Sequence, residues 1–185
     1  MVCYAIESAD EADSSPAQIT YTNYNTPLKK LLTDKGIKNE ELHILVDKSD
    51  FILSVKKGEA VIKQYPIVLG TNPVDDKRQQ GDRCTPEGTF HMISKYPHKS
   101  WDKFIWFDYP TADSHKKFNK AKADGTISKD AKIGGELGIH GVPSGCNYWV
   151  DDKANWTWGC VSLKIEDVNE IYDFISKKTD IIIQK

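Results

Sequence analysis

Hydrophobic and polar residues alternate over several stretches of the chain, and this alternation predicts a domain rich in β-strands. It is clearest where Leu42, Ile44 and Val46 are separated by polar residues, because a strand buried on one face repeats with a period of two. Similar stretches recur with turn residues between them. We therefore predict strands at 42–46, 51–55, 60–69, 89–96, 104–109, 137–140 and 180–184.

A second pattern, with helical spacing, predicts a small number of helices. Near the C-terminus, Val168, Ile171 and Ile175 lie three and four residues apart, which places them on one face of a helix. The predicted helices are at 27–33, at 111–123 and from 165 onward. Many short strands with two or three short helices indicate a β-rich α+β domain. The order of the strands does not follow from the pattern.

Two segments lack periodicity. Residues 1–26 are mostly small, polar and acidic, which is typical of a poorly ordered leader or linker, so the domain is predicted to span 27–185. The second segment, 70–88, is a polar loop with two prolines. Loops of this length inside a compact domain usually bind something.

Composition narrows the function classes. The chain has 25 Lys and Arg residues against 27 Asp and Glu residues, a formal net charge of -2, so no nucleic-acid partner is predicted. No apolar run is long enough to span a membrane, and the first twelve residues do not resemble a signal peptide. We expect that an export signal was removed. Cys3 is then either the remnant of a lipid attachment site or a chance cysteine.

The cysteines and histidines show no metal-ligand spacing, and no metal or cofactor is predicted. Cys160 follows Gly159, whose backbone freedom lets a substrate carbonyl approach, and the amides of both residues could face an oxyanion. A thiol needs a base to become a nucleophile, and His140, at the end of a predicted strand, is the best candidate. From the residues alone, Cys160 could equally be a small buried hydrophobe and His140 an ordinary polar residue.

Three segments together resemble the catalytic domain of the L,D-transpeptidases (YkuD type). They are Gly81 to Phe90, which reads Gly-Asp-x-x-Thr-Pro-Glu-Gly-x-Phe, then His140-Gly141, and then Thr157-Trp158-Gly159-Cys160. The order and spacing are similar to the family's histidine followed by Ser/Thr-His-Gly-Cys, and the resemblance covers about 41–185. It implies a β-sandwich or curved mixed sheet, with Cys160 as nucleophile and His140 as base.

The sequence departs from the family pattern at two positions near the cysteine. Trp158 replaces the second histidine, and Ser162 stands where an arginine is often found. Both changes resemble a branch that reads Thr-x-Gly-Cys. Gly141 replaces a serine that some members use, so the resemblance leaves its backbone carbonyl to orient the His140 ring.

Substrate contacts are predicted for residues on both sides of the cysteine. Trp158 and Ser162 occupy positions that lie at the mouth of the site in family members, and Thr157 adjoins them. Arg83 would bind substrate carboxylates, which arginine matches with two hydrogen bonds. Tyr148 belongs to an aromatic insert between His140 and Cys160 that forms either a lid, a sugar-stacking wall or part of the core.

The function implied by the resemblance is acyl transfer on peptidoglycan stem peptides through a thioester at Cys160. The alternatives are a carboxypeptidase, endopeptidase or amidase that uses the same site, and a non-catalytic wall-binding module. We expect an exported monomer in the periplasm or cell envelope. The resemblance implies that the loops carrying Cys84 and Cys146 border the cleft, and these cysteines form either a disulfide or two free thiols.

Overall fold

The computed structural model describes residues 20–185, which contain four α-helices and eight β-strands. The helices are α1 (Leu28–Lys35), α2 (Ala112–Ala123), α3 (Tyr148–Asp151) and α4 (Ile165–Tyr172). The strands are β1 (His43–Asp47), β2 (Ile52–Lys57), β3 (Ala60–Pro66), β4 (Gly88–His98), β5 (Asp102–Phe107), β6 (Gly138–Gly141), β7 (Val161–Leu163) and β8 (Asp180–Gln184). The four-residue helix α3 was not predicted, because it lies inside the aromatic insert and is too short to show a period.

All eight strands form one mixed sheet in the order β3-β2-β1-β8-β4-β5-β6-β7. The β1–β8 and β6–β7 pairs are parallel, and the other pairs are antiparallel. The sheet does not close into a barrel. These features confirm the predicted β-rich α+β class.

The sheet is held together by the residues whose alternation predicted it. Ile44 and Val46 point from β1 into the core, and β8 aligns Ile181 with Ile44 on one side and with Phe90 on the other. The C-terminal strand thus joins the β1–β3 meander to the half of the sheet that carries β6 and β7.

Helix α4 packs its apolar side against this core. Val168 and Ile171 are fully buried, and Ile175 just beyond the helix is nearly so. Their spacing is the one that predicted the helix. The predicted inner face of α2 is also confirmed, since Phe118 and Ala121 are its buried residues.

Residues 20–26, which fall within the predicted leader, contact the domain. The side chain of Gln64 accepts hydrogen bonds from Thr22, and the Tyr24 hydroxyl donates to Asp167 Oδ2 at 2.9 Å. Burial raises the pKa of Asp167 to about 7, although the Tyr24 hydrogen bond lowers it. The first nineteen residues, including Cys3, lie outside the described residues.

The polar loop at 70–88 folds back over the end of the sheet. Just before it, Val68 forms an antiparallel bridge with Ser162, and Gly70 forms a parallel bridge with Thr157. Asp82 ties the loop together by accepting hydrogen bonds from the backbone amides of residues 78, 79 and 84 and from Lys77 Nζ. The loop therefore lies beside β7 and the residues that precede it.

Candidate active site

His140 lies in β6 with its ring almost fully buried, at 1% exposure. Its Nδ1 is 2.8 Å from the carbonyl oxygen of Gly141. Because a carbonyl oxygen can only accept, Nδ1 must carry the proton of the neutral ring, which leaves Nε2 as an acceptor. The ring orientation and tautomer are therefore set by the next residue in the chain.

Three aromatic side chains surround this imidazole. Trp101 and Phe104 stack on it with centroid separations of 4.5 and 5.8 Å, and Trp156 meets it edge-on at 5.4 Å. Burial among these rings lowers the pKa of His140 to about 4, although the hydrogen bond with Gly141 raises it. The imidazole is consequently neutral at physiological pH and able to take a proton.

Cys160 immediately precedes β7, beside the strand that carries His140. The parallel register aligns Ile139 with Val161 and His140 with Ser162. Cys160 and His140 line the same cavity of about 480 Å³, together with Thr157 and Trp158. Burial raises the pKa of the Cys160 thiol to about 11, while a hydrogen bond from the Gly138 backbone and the charge of Lys77 lower it. The resting site therefore holds a neutral thiol and a neutral imidazole.

Position 159 requires a glycine because two segments of the backbone approach each other closely there. It has a φ of 130°, and a Cβ at this position would lie 2.6 Å from the carbonyl oxygen of Cys84. Its N–H donates to the Thr157 hydroxyl at 3.2 Å. The expectation that the Gly159 amide faces an oxyanion is therefore not met in this structure, because that donor is already used.

The Thr157 side chain forms hydrogen bonds within the loop that carries Cys160. Its hydroxyl donates to the Cys160 carbonyl oxygen at 2.7 Å and accepts from the Gly159 amide. Thr157 lines the cavity, and these two hydrogen bonds fix the backbone around Cys160.

Ser162 is not at the mouth of the site. It is completely buried in β7, and its hydroxyl has no hydrogen-bond partner among residues 20–185. The expectation was carried over from the family resemblance, which does not take account of the segment that pairs with β7 in this chain. Val68 pairs with Ser162 and covers that edge.

Tyr148 is also placed away from the cavity. It lies in α3 with 56% of its surface exposed, its ring contacts Trp149, and it is absent from the cavity wall. Tyr148 therefore does not belong to the wall of the cavity that holds Cys160 and His140. Trp149 and Trp156 pack against a small core cluster of Val68, Val142 and Val150. Of the three alternatives for the aromatic insert, these two residues therefore follow the one in which the insert is part of the core.

Arg83 and Trp158 form a stacked pair next to the cavity. The Arg83 guanidinium carbon lies 3.8 Å from the centroid of the Trp158 ring. Trp158 is 69% exposed and lines the cavity. Within the described part of the chain, no acidic side chain forms an ion pair with Arg83. The guanidinium is therefore free to meet a carboxylate.

Several cavity residues were missed by the sequence analysis. Lys77 is buried and its Nζ lies 2.8 Å from Asp82 Oδ1. Burial alone would raise the pKa of Asp82, but hydrogen bonds from Gln79, Lys77 and Arg78 lower it, so this ion pair stays charged. Trp101 and Glu136 also line the cavity. Their sequence neighbourhoods carry no periodic or motif signal.

The described cysteines do not form disulfides. Cys84, Cys146 and Cys160 are all free. The Cys84 thiol donates to the Asp82 carbonyl oxygen at 3.3 Å, and burial raises its pKa to about 11. Of the two alternatives for Cys84 and Cys146, the structure has the free thiols.

The fold and cavity define a β-rich α+β domain with a histidine and a cysteine facing one pocket. The sequence matches the family model of the YkuD L,D-transpeptidase catalytic domain over residues 41–183. The chain therefore belongs to the L,D-transpeptidase catalytic domain family, which confirms the resemblance found in the motifs. A comparison with curated proteins finds none that matches this chain.

Solved structures agree with the fold. The helical cell shape determining protein Pgp2 from Campylobacter jejuni is 22% identical with a TM-score of 0.56, over 85% of this chain and 55% of that one. Bd1075 from Bdellovibrio bacteriovorus is 22% identical with a TM-score of 0.53, over 78% and 48%. An L,D-transpeptidase from Mycobacterium smegmatis is 16% identical with a TM-score of 0.50, over 78% and 59%. The chain thus spans about half the length of these structures. No helix within residues 20–185 has the length and apolar character needed to cross a membrane.

Proposed function

We propose that this domain catalyses cysteine-dependent acyl transfer on peptidoglycan stem peptides, with Cys160 as nucleophile and His140 as base. The observation that carries the proposal is that the two side chains line one cavity, with the His140 ring fixed by Gly141 so that Nε2 is the acceptor. Nucleophilic catalysis by a thiol needs a neutral imidazole of this kind within its reach.

The first half-reaction forms a thioester. His140 Nε2 takes the thiol proton as the Cys160 sulfur attacks the carbonyl carbon of the amide before the terminal D-residue. The carbon–nitrogen bond then breaks, and the imidazolium returns the proton to the leaving amine. Because both groups are neutral at rest, proton transfer accompanies the attack rather than preceding it.

The second half-reaction releases the acyl group. An amine from another stem loses a proton to His140 and attacks the thioester carbon. The carbon–sulfur bond breaks as the amide forms, and the imidazolium returns the proton to the Cys160 sulfur, which restores the thiol. In both steps the carbonyl oxygen gains negative charge. Since the Gly159 amide is bonded to Thr157, the Cys160 amide is the backbone donor that we assign to this oxygen.

Hydrolysis is the second candidate function. Water in place of the amine would make the site a carboxypeptidase or an endopeptidase, or an amidase. Trp158 favours this alternative. Its exposed ring lines the cavity at a position where the family pattern has a histidine, so the surface that an acceptor amine meets is changed. The third candidate function is that of a non-catalytic wall-binding module.

The proposed substrate also sets the proposed location. Assembled peptidoglycan lies outside the cytoplasm, so the domain would act after export, in the periplasm or cell envelope. A monomer would suffice, because the proposed nucleophile and base come from one chain.

Incubation with defined muropeptides tests the proposal. Crosslinked dimers that require Cys160 would support transpeptidation, whereas tripeptides or released fragments alone would support hydrolysis. Cys160→Ala should abolish either product, and Cys146→Ala, which removes a free thiol outside the cavity, should not. Binding to peptidoglycan without any turnover by the wild type would contradict both catalytic functions and leave the binding module.

A further inference from the structure

A second groove adjoins the proposed catalytic cavity on the surface of the sheet. It has a volume of about 270 Å³ and is lined by Tyr96, Trp101, Phe104, Trp106 and Glu136. Trp101, Phe104 and Glu136 also line the cavity that holds Cys160 and His140. The two spaces therefore share a wall and lie next to each other. We call the second space the aromatic groove.

The strand register explains why the aromatic groove leads to His140. Phe104 pairs with His140 on one side and with Tyr96 on the other, so the three rings form one row across β6, β5 and β4. Their centroids are 5.8 and 5.5 Å apart, and the rings are nearly parallel. A substituent that stacks at Tyr96 would thus lie two strands away from the base.

The aromatic groove also contains polar groups that no protein atom satisfies. Trp106 Nε1 is buried and has no hydrogen-bond partner among the described residues, an arrangement that usually costs stability. Glu136 is exposed, with a φ of 57°, and forms no ion pair within residues 20–185. Non-glycine residues rarely adopt this backbone region, and those that do cluster at functional sites.

We propose that the aromatic groove binds a sugar ring of the glycan strand, an N-acetylated hexosamine; this inference rests on the proposed function. The accessible parts of the Tyr96 and Trp106 rings would pack against the C–H face of the sugar. The exposed Glu136 carboxylate would accept from a hydroxyl or amide N–H.

Charge favours a sugar over a second peptide in this groove. Within the described part of the chain, the five residues that line it include one carboxylate and no cation. The groove offers no cation to pair with the several carboxylates of a stem peptide, whereas an N-acetylated sugar is neutral and needs none. The length also fits. The reacting stem residue is the third from the sugar, and three extended residues span about 10 Å, as do two strand spacings of about 4.8 Å each.

Binding of a peptide-free sugar to the Cys160→Ala protein tests this inference separately from turnover. The probe is the neutral tetramer of β-1,4-linked N-acetylglucosamine, followed by indole N–H signals in two-dimensional NMR. We expect saturable shifts of the Trp106 and Trp101 signals. Tyr96→Ala and Trp106→Ala should each weaken binding by about tenfold. Tyr148→Ala, which removes an exposed tyrosine outside the groove, should not.

Three results would overturn the inference. These are no binding by the folded protein, binding that Tyr96→Ala leaves unchanged, or self-association through the groove that Tyr96→Ala abolishes. Displacement of the tetramer by a sugar-free stem peptide that shifts the Trp106 signal would assign the groove to peptide instead. A Cys160→Ala protein that binds the tetramer, with a wild type that has no turnover, would refute the proposed function and leave the sugar site standing.

Discussion

The imidazole of His140 lies against the indole of Trp101, with ring centroids 4.5 Å apart and planes inclined by 23°. Trp101 also supports the strand that carries this histidine, because its carbonyl oxygen accepts from the Gly141 amide at 3.1 Å. One residue in the turn between β4 and β5 thus buries the proposed base and anchors its strand.

Replacing the Trp101 side chain should shift the acid limit of activity. Burial lowers the pKa of His140 to about 4, and Trp101→Leu would let water reach the ring. We expect the pKa to rise toward the usual value of about 6.5, so that activity is lost at a higher pH on acidification. Imidazole NMR titration in the Cys160→Ala background, with Tyr148→Leu as control, measures this. An unchanged pKa would contradict the role given to Trp101.

Adding a methyl group at Gly159 should damage both stability and the site. Its Cβ would meet the Cys84 carbonyl oxygen at 2.6 Å at a φ of 130°. Gly145 provides a matched control, since it also has a positive φ of 81° but no atom within 4 Å of the added Cβ. We expect Gly145→Ala to cost about 1–2 kcal/mol and Gly159→Ala more. Urea denaturation measures the difference, and equal losses would show that the contact with Cys84 is unimportant.

The Arg83 guanidinium is expected to contribute to binding rather than to chemistry. It stacks on Trp158 and has no acidic partner in residues 20–185. Arg83→Gln should therefore raise KM by about tenfold, with little change in kcat, because a charged hydrogen bond is lost in both ground and transition states. Arg83→Lys should recover part of the loss. Arg78→Gln, in the same loop, serves as the control. A fall in kcat alone would contradict this assignment.

Asp167 should make the domain less stable as the pH rises from about 4 to about 7. Burial raises its pKa from the ordinary value of 3.8 to about 7, so the folded state holds a proton that the unfolded state releases in this range. The free energy of unfolding therefore falls as the pH increases through it. Asp167→Asn keeps an acceptor for the Tyr24 hydroxyl and should flatten this dependence. Between about pH 4 and neutral pH, its free energy of unfolding should fall by about 1–3 kcal/mol less than that of the wild type. Chemical denaturation at several pH values measures it, and parallel pH profiles for both proteins would contradict the prediction.

Local patterns predicted the elements better than their arrangement. Alternation located β1 and β2, and helical spacing located α4, because each depends on residues close in sequence. The position of β8 between β1 and β4 depends on contacts between Ile181, Ile44 and Phe90. Such long-range pairing leaves no local signal.

The sequence predicted only those site residues that belong to a motif. His140 and Cys160 were named from the motifs, and the structure brings them to one cavity. The depth of Ser162 depends on Val68, which comes from a distant segment and covers the sheet edge. Trp101 and Glu136 reach the cavity through turns whose sequences carry no catalytic pattern.

Intact-protein mass spectrometry after rapid acid quenching tests the central claim most directly. With a stem tetrapeptide as donor, the wild type should gain the mass of the acyl group that remains after the terminal D-residue leaves. Neither Cys160→Ala nor His140→Gln should gain it within the same interval. An adduct that persists in Cys160→Ala, or a folded wild type that never forms one, would contradict a thioester at this cysteine.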